Sequence, residues 1–198
     1  RLDEPCLRAA VDALVARHGV LRTAFVTAGR ARPVQLVLHH VAVPWDRLDL
    51  TQRSDREAAF ADTLARDRQV RLDLARPPVL RCLLVRLGPS SHRLVLTNHH
   101  ILMDGWSLPI LVRELMALYA AGGDAHALAP VRPYRDYLAW LARQSHPAAL
   151  AAWRAELAGL DQPTRLAAAL APAVGAERDA APAPAPGHHA VALDAAAT

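Results

Sequence analysis

The spacing of apolar side chains predicts five helices along the chain. In residues 4–18 the apolar positions recur at helical intervals. Asp3 is placed to cap this first helix, and Gly19 follows its end. Pro5 fits the first helical turn. The stripe comprises Leu7, Val11, Leu14 and Val15. Further helices are predicted over residues 53–69, 107–123, 134–145 and 148–160.

Shorter apolar segments between the helices predict four strands. Residues 20–27 and 33–43 are the first two, and the second is apolar on both faces, which predicts a central or well-covered strand. Residues 78–88 and 92–100 flank the short polar stretch "PSS" and predict a β-hairpin. Mixing strands with helices in this way favours an α/β (α+β) sandwich in which helices cover a mixed sheet.

Composition narrows the class of protein. The chain has 198 residues, of which 53% are apolar, enough for one globular domain or two small lobes. The net charge is +4, and the arginines are scattered among acidic residues rather than gathered beside aromatic ones. We therefore expect no nucleic-acid partner. A mild positive balance still suits an acidic protein partner.

Location and redox state follow from what the sequence contains. It opens "RLDEPC", without the apolar segment of a signal peptide, and no apolar run approaches membrane-spanning length. We expect a cytoplasmic protein with no membrane partner. Cys6 and Cys82 have no metal-binding spacing and lie among apolar residues, which predicts buried, reduced thiols. The first residue is not methionine, so we expect the chain to be part of a longer protein.

The stretch "TNHHILMDGWS", residues 97–107, carries the strongest candidate chemistry. On a continuing strand His99 and His100 would point to opposite faces, so only one could reach a given cavity. Asp104 and Gly105 predict a tight turn in which the glycine adopts dihedral angles that other residues avoid. The helix that follows would offer free backbone N–H groups. A histidine beside such donors suits acyl transfer.

Two other interpretations of this stretch are open. His100 and Asp104 have the i, i+4 spacing of a helical metal site, but Gly105 and the strand pattern argue against a helix, and no third ligand is evident. We therefore expect no metal. The other alternative is a histidine that only packs in the core.

At these residues the sequence resembles the condensation domains of non-ribosomal peptide synthetases. "HHILMDGWS" matches the HHxxxDG core motif of that family, and two further motifs match in the expected order. "RHGVLRTAF", residues 17–25, resembles RHExLRTxF with glycine where glutamate is common. "YRDYLAWLARQ", residues 134–144, resembles the YxDYxxWQ-type motif. HHxxxDG alone is only moderately specific, because other acyltransferases share HxxxDG, so the ordered set of three makes the resemblance specific.

The resemblance implies a fold and a domain layout. It predicts a chloramphenicol-acetyltransferase-like lobe, with residues 1–170 as the N-terminal lobe of a condensation domain that lacks the family's first motif. The Pro/Ala-rich residues 171–187 would be a linker, and residues 188–198 would begin the C-terminal lobe. In the family the active site lies in a tunnel between the two lobes. We therefore expect the isolated chain to be inactive.

The resemblance also assigns roles to single residues. His100 is expected to be catalytic, positioning or deprotonating the acceptor amine, and His99 to be structural. Gly105 is expected to line the site, where its N–H would help hold the thioester. Asp104 is expected to form a salt bridge with Arg22. The strand pattern separately places Arg22 on an apolar face, where it would need such a partner.

The tryptophans are candidate tunnel residues. Trp106, Trp140 and Trp153 could line a substrate tunnel, but packing in the core or between lobes is the favoured prediction. The pairs His39-His40 and His188-His189 have no Asp-Gly turn after them and are expected to be structural or solvent-facing.

The reaction that the family implies is amide formation between two carrier-bound thioesters. The substrates ride on phosphopantetheine of donor and acceptor carrier domains, next to an adenylation domain, and no cofactor binds the chain directly. Segments 99–115 and 157–167 resemble the subtype that accepts a D-configured donor. The alternatives are an epimerization domain, another HxxxDG acyltransferase, or a non-catalytic carrier-docking module of the same fold.

Overall fold

The computed structural model describes residues 2–27, 29 and 32–160. The predicted linker, residues 171–187, and the predicted start of a second lobe, residues 188–198, lie outside this range. The elements in chain order are α1 Glu4–Arg17, β1 Thr23–Val26, β2 Val34–Val37, β3 Trp45–Asp49, α2 Arg56–Gln69, β4 Leu80–Arg86, β5 His92–Asn98, α3 Ser107–Ala120, α4 Tyr134–Leu141 and α5 His146–Glu156. Short 3₁₀ helices occupy Gly19–Arg22 and Ala125–Ala127.

The chain divides into two compact units. The first runs from Arg1 to Arg143 and the second from Gln144 to Thr198. The first holds all five strands and helices α1 to α4, whereas α5 belongs to the second. The motif of residues 97–107 therefore lies wholly within the first unit.

A three-stranded mixed sheet is the centre of the first unit. Strand β3 pairs parallel to β4, and β4 pairs antiparallel to β5. A parallel pair requires a crossover connection, which contains α2. The hairpin of β4 and β5 is confirmed, with Arg86 opposite His92 at its closed end and Leu80 opposite Asn98 at its open end. The mixed sheet and its covering helices confirm the predicted fold class.

Apolar side chains cover both faces of this sheet. On one face Leu80, Cys82 and Leu84 of β4 pack into a cluster with α1 and α3. On the other face Val85 packs into a second cluster with α2. This alternation along β4 follows the two-residue period of a strand. The helix residues of the first cluster are Leu7, Ala10, Val11, Leu14, Val15, Leu111, Leu115 and Leu118, and those of the second are Ala59 and Phe60.

Helix α1 follows its sequence prediction closely. The Asp3 side chain accepts a hydrogen bond from the Cys6 N–H at 3.0 Å and caps the helix. The predicted apolar stripe is buried. Opposite α1, Gly123 ends the turn after α3 with a φ of +89°, and an added Cβ would lie 2.9 Å from the Cβ of Ala9. Glycine is therefore required at that position both by its dihedral angle and by the close approach of α1.

A charged cluster also joins α1 to α3. Glu114 of α3 accepts hydrogen bonds from Arg17 Nε at 3.0 Å and from His18 Nε2 at 2.6 Å. A second nitrogen of Arg17 donates to the carbonyl of Ala129. Burial by itself would raise the pKa of Glu114, but the hydrogen bonds and charges of His18 and Arg17 outweigh it and lower the pKa. The cluster stabilises the carboxylate form of Glu114.

Two strand predictions need correction. Residues 20–27 were predicted as one strand, but Gly19–Arg22 form a 3₁₀ turn and only Thr23–Val26 are extended. Residues 33–43 were predicted as a central strand, but only Val34–Val37 are extended, and they pair with β1 in a separate two-stranded ribbon. In this ribbon Leu36 is 44% exposed and Val37 is 59% exposed. The apolar residues on both faces of the predicted strand therefore did not mean that other elements cover it.

Strand β3 was missed by the sequence analysis. Its sequence, WDRLD, contains only two apolar residues in five, Trp45 and Leu48, and they do not alternate regularly. The strand exists because its backbone pairs with β4 from Trp45 opposite Cys82 to Asp49 opposite Arg86. No helix among the described residues is long and apolar enough to cross a bilayer.

Candidate active site

The motif of residues 97–107 forms the connection between β5 and α3. Strand β5 ends at Asn98, so His99 and His100 lie in the turn beyond it rather than on the strand. The predicted alternation of the two histidines across a strand is therefore wrong. The backbone is still anchored at this point, because the His99 N–H donates to the carbonyl of Val79 at 3.2 Å. Both histidines begin an exposed loop at the open end of the hairpin.

The ring of His99 is engaged within its own loop. Its Nδ1 accepts a hydrogen bond from the N–H of Ile101 at 3.1 Å. Its carbonyl accepts from the N–H of Leu102 at 3.1 Å and from the side chain of Asn98 at 3.3 Å. These contacts tighten the turn after β5. They fit the structural role that the family resemblance implied for His99, which stays a prediction.

His100 differs from its neighbour. Its side chain is exposed, and within the described residues no hydrogen bond or ion pair involves its ring. The loop that follows His100 is anchored to the core, because Leu102 and Met103 are buried in the cluster that includes α1 and α3. The result is an exposed imidazole on a well-anchored loop, with both ring nitrogens open to a ligand.

Asp104 is hydrogen-bonded to Ser107, the first residue of helix α3. Its Oδ1 accepts the N–H of Ser107 at 2.9 Å and the hydroxyl of Ser107 at 2.7 Å. These two hydrogen bonds from Ser107 lower the pKa of Asp104, with a smaller contribution from the N–H of Trp106. Some N–H groups at the start of α3 are therefore used by Asp104 itself.

Gly105 is not required by the fold of the described chain. Its φ is not positive, contrary to the prediction of an unusual dihedral angle, and an added Cβ would meet nothing within 4 Å. Its N–H makes no hydrogen bond to any described residue. The backbone at Gly105 thus presents an exposed donor with no side chain of its own in front of it.

The predicted salt bridge between Arg22 and Asp104 is not formed in the structure. Arg22 lies in the 3₁₀ turn after α1, not on an apolar strand face. Its guanidinium donates to three backbone carbonyls instead, and these oxygens stabilise its positive charge without a carboxylate partner. The three acceptors belong to Val15 at 3.2 Å, Leu38, and His39 at 3.2 Å. Arg22 therefore ties the end of α1 to the segment after β2.

The three candidate tunnel tryptophans, Trp106, Trp140 and Trp153, do not pack in a core of the described residues. Trp106 is 86% exposed, and Trp140 and Trp153 are also exposed. Trp140 stacks on Tyr137 of the same helix, with ring centroids 5.7 Å apart. Packing of these residues against another lobe stays a prediction. His39 and His40 are exposed, as expected, and His188-His189 lies outside the described residues.

The sequence analysis missed a network of three residues next to the motif histidines: Asp67, Arg81 and Thr97. Asp67, near the end of α2, accepts from Arg81 Nε at 2.7 Å and from the hydroxyl of Thr97 at 2.5 Å. Arg81 also donates to the carbonyls of Asp67 at 2.6 Å and Val70 at 3.2 Å. Arg81 stands opposite Thr97 in the hairpin. Only tertiary packing brings α2 to these strands, so no local sequence signal could reveal the network.

The cysteines and possible metal ligands complete the chemical inventory. Both thiols are free; Cys82 is buried and Cys6 is partly buried, donating to the carbonyl of Tyr119 at 3.1 Å. Burial, with a smaller effect of Asp12, raises the pKa of Cys82 to about 12. Across the described residues no group of three His, Cys, Asp or Glu side chains could hold a metal ion.

Comparison with protein families settles the class of this fold. The model of the family described as "Condensation domain" matches residues 1–181. The chain belongs to the condensation-domain family. The resemblance seen in its three motifs is thereby confirmed.

Curated relatives of this condensation-domain chain are much longer proteins. It is 40% identical over 162 residues to a linear gramicidin synthase of Brevibacillus parabrevis, covering 80% of the chain and 3% of that protein. It is 34% identical over 167 residues to bacitracin synthase 3 of Bacillus licheniformis, covering 83% of the chain and 3% of that protein. The condensation-domain chain thus spans a small fraction of these relatives' length.

Solved structures support the same fold. The starter condensation domain of rhizomide synthetase, as a double mutant in a "product-released" conformation, matches with a TM-score of 0.70 at 21% identity, covering 84% of the chain and 39% of that structure. The first condensation domain of the calcium-dependent antibiotic synthetase, in complex with a substrate analogue, matches with a TM-score of 0.55 at 27% identity, covering 60% of the chain and 31% of that structure. Each match covers less than half of the solved domain.

Proposed function

We propose that this condensation-domain chain contributes the catalytic histidine to peptide-bond formation in non-ribosomal peptide synthesis. The amine of one carrier-bound aminoacyl thioester attacks the acyl or peptidyl thioester on an upstream carrier. The observation that carries the proposal is the contrast within the motif: His99 is held by Ile101, while His100 stands exposed on the anchored loop.

The reaction needs little beyond positioning and charge stabilisation. The amine nitrogen bonds to the thioester carbonyl carbon, the carbon–sulfur bond breaks, and the acyl group stays on the amine of the acceptor. The phosphopantetheine sulfur of the donor carrier leaves as a thiolate and takes up the proton that the amine has lost. An α-amine has a pKa of about 7.7, so a substantial fraction is neutral near pH 7. His100 would orient this amine and accept its proton as the bond forms.

Gly105 has a supporting role in the proposal. Its N–H makes no hydrogen bond within the described chain, and nothing in the fold demands glycine there. An exposed N–H without a neighbouring side chain can approach the carbonyl oxygen of a thioester and donate to the oxyanion that develops. In this proposal His100 acts on the attacking amine and Gly105 on the thioester carbonyl, both from one loop.

The substrates and partners follow from the same proposal. Donor and acceptor would be delivered by carrier domains on phosphopantetheine, with an adenylation domain adjacent, and no cofactor would bind the chain directly. Because the family's site lies between two lobes, the chain by itself would not turn over. Preference for a D-configured donor stays a prediction from residues 99–115 and 157–167, part of which lies outside the described residues.

Replacement of His100 tests the proposal directly. In a complete synthetase supplied with loaded donor and acceptor carriers, His100→Ala should lower the rate of amide formation by at least about 100-fold, the usual range for loss of a general base. Amide product is measured by mass spectrometry after hydrolysis from the acceptor carrier. Turnover of His100→Ala close to that of the parent would contradict the proposal.

His40→Ala is the matched control. It is the same substitution at an exposed histidine of another His-His pair, so it should leave the rate unchanged. The same reaction separates the alternatives by their products when chiral chromatography also gives the configuration of the hydrolysed amino acid. An epimerization domain would invert the carrier-bound aminoacyl group without forming an amide, another acyltransferase would use a free thioester donor, and a docking module would form no product.

A further inference from the structure

The network of Asp67, Arg81 and Thr97 lies directly before the active-site loop. Thr97 is the second-last residue of β5 and precedes His99 by two positions. Its side chain is on the sheet face that α2 covers, because neighbouring Leu96 packs into the cluster on the opposite face. Asp67 thus binds β5 at Thr97, which is the last residue of the strand whose side chain faces α2.

The network is built to fix geometry. The side chain of Arg81 is 14% exposed and that of Asp67 is 16% exposed, so both charges are largely removed from solvent. Ion pairs of this kind contribute little net stability, because desolvation offsets their attraction. They do fix the position of the strands relative to α2, because the two oxygens of Asp67 bind different donors, one on β4 and one on β5.

The backbone carries this constraint to the site. Arg81 and Thr97 face each other across the hairpin, followed by Leu80 opposite Asn98. The next link is the hydrogen bond from the His99 N–H to the Val79 carbonyl at 3.2 Å, after which the strand pair opens into the loop. A shift of Thr97 would therefore move the point at which His99 and His100 leave the sheet.

We propose that Asp67, Arg81 and Thr97 are positioning residues that set the placement of His100 for amide formation. The inference rests on the proposed function of His100. None of the three has a side-chain hydrogen bond or ion pair with residues 99–106, and they act by fixing the end of β5 against α2.

Thr97→Val tests the inference because it keeps the shape of the side chain and removes the hydroxyl. In the complete synthetase with saturating loaded carriers, kcat should fall about 10-fold while KM for both carriers stays unchanged, because a small displacement of a catalytic group slows chemistry without affecting docking. Hydrogen–deuterium exchange in residues 98–102 should accelerate while exchange in β3 stays at the parental level. Thr97→Ser, which keeps the hydroxyl, should restore both properties.

Thr63→Val is the matched control. Thr63 lies on the same helix as Asp67, and its hydroxyl donates to the carbonyl of Ala59 in that helix at 2.8 Å rather than to a group on the strands. It should leave kcat and the exchange of residues 98–102 unchanged. Thr97→Val with the kcat of Thr63→Val would overturn the inference. A fall in kcat with uniformly faster exchange and no recovery in Thr97→Ser would overturn it as well.

His100→Ala is measured alongside to separate the two proposals. If His100→Ala abolishes turnover and Thr97→Val does not change it, the positioning role is wrong and the function of His100 stands. If His100→Ala retains turnover, the proposed function is wrong, whatever Thr97→Val shows.

Discussion

At the scale of single residues, the structure separates the parts of the motif that hold the loop from those that face outward. His99 and Asp104 are engaged with neighbouring backbone groups. His100 and Gly105 are exposed and make no contacts of this kind within the described chain. The sequence could indicate the motif and, through its family, the histidine. It could not show that Asp104 accepts both hydrogen bonds from Ser107, because that depends on how the chain turns into α3.

Asp104 offers a test that distinguishes its hydrogen bonds with Ser107 from a salt bridge. Asp104→Ala should lower the free energy of unfolding, because the N–H and the hydroxyl of Ser107 lose their acceptor. Asp104→Asn should cost much less, because the amide oxygen still accepts from Ser107. Urea denaturation of the condensation domain measures both. A salt bridge to Arg22 would instead make the two substitutions equally costly.

A double-mutant cycle supplies the control for this prediction. Arg22→Ala removes hydrogen bonds to three carbonyls and should destabilise the fold by itself. Because Arg22 and Asp104 are not paired in the structure, the two losses should be additive within about 0.5 kcal/mol. A larger coupling energy would show that the two residues interact.

At the scale of elements, local pattern predicted the helices and the hairpin but not the sheet. The stripe of α1 and the flanks of the "PSS" loop carry their own periodicity. Strand β3 has only Trp45 and Leu48 as apolar residues, and pairing with β4 determines it. Of the apolar residues 33–43, only Val34–Val37 form a strand, the exposed ribbon strand β2, because covering a strand depends on partners that local sequence does not encode.

The cluster that joins α1 to α3 gives a pH-dependent prediction. The pKa of Glu114 is lower in the folded chain than its usual value of 4.5, so the folded state favours the carboxylate. The resulting stability is present above pH 4.5 and is lost as the pH falls below it. Glu114→Gln should therefore cost about 2 kcal/mol at pH 7, the usual worth of hydrogen bonds to a charged group.

The measurement is a urea midpoint for parent and Glu114→Gln at several pH values from 7 downwards. The difference between the two proteins should shrink as the pH falls. Glu57→Gln is a suitable control, because Glu57 forms an exposed ion pair with Arg93 and should change stability little. A difference at Glu114 that is independent of pH would contradict the prediction.

At the scale of the whole molecule, the first unit has helices packed on both faces of one mixed sheet. Family resemblance predicted this architecture from three motifs, and the layered core confirms it. The Asp67 network could not be predicted, since it joins α2 to the hairpin across positions 67, 81 and 97. The sequence thus determined which elements exist more reliably than which side chains meet.

Cys82 can report on the stability of this core. It is buried in the cluster between the sheet and helices α1 and α3, and its pKa is raised to about 12. In a Cys6→Ser background at pH 8, alkylation of Cys82 should require global unfolding, because the thiolate is the reactive form. Its labelling rate should rise with urea in parallel with unfolding measured by circular dichroism. The partly buried Cys6, in a Cys82→Ala background, should react faster.

The register of the hairpin limits how the chain can vary in length. From Arg86 opposite His92 to Leu80 opposite Asn98, every residue of β5 has a fixed partner. One residue inserted within β5 would turn Leu94 and Leu96 towards α2 and move Thr97 away from Asp67. An insertion at Pro89–Ser91, in the exposed hairpin loop, would leave this register intact. Related chains can therefore lengthen at the far end of the hairpin, while the count of residues from there to His100 must stay constant.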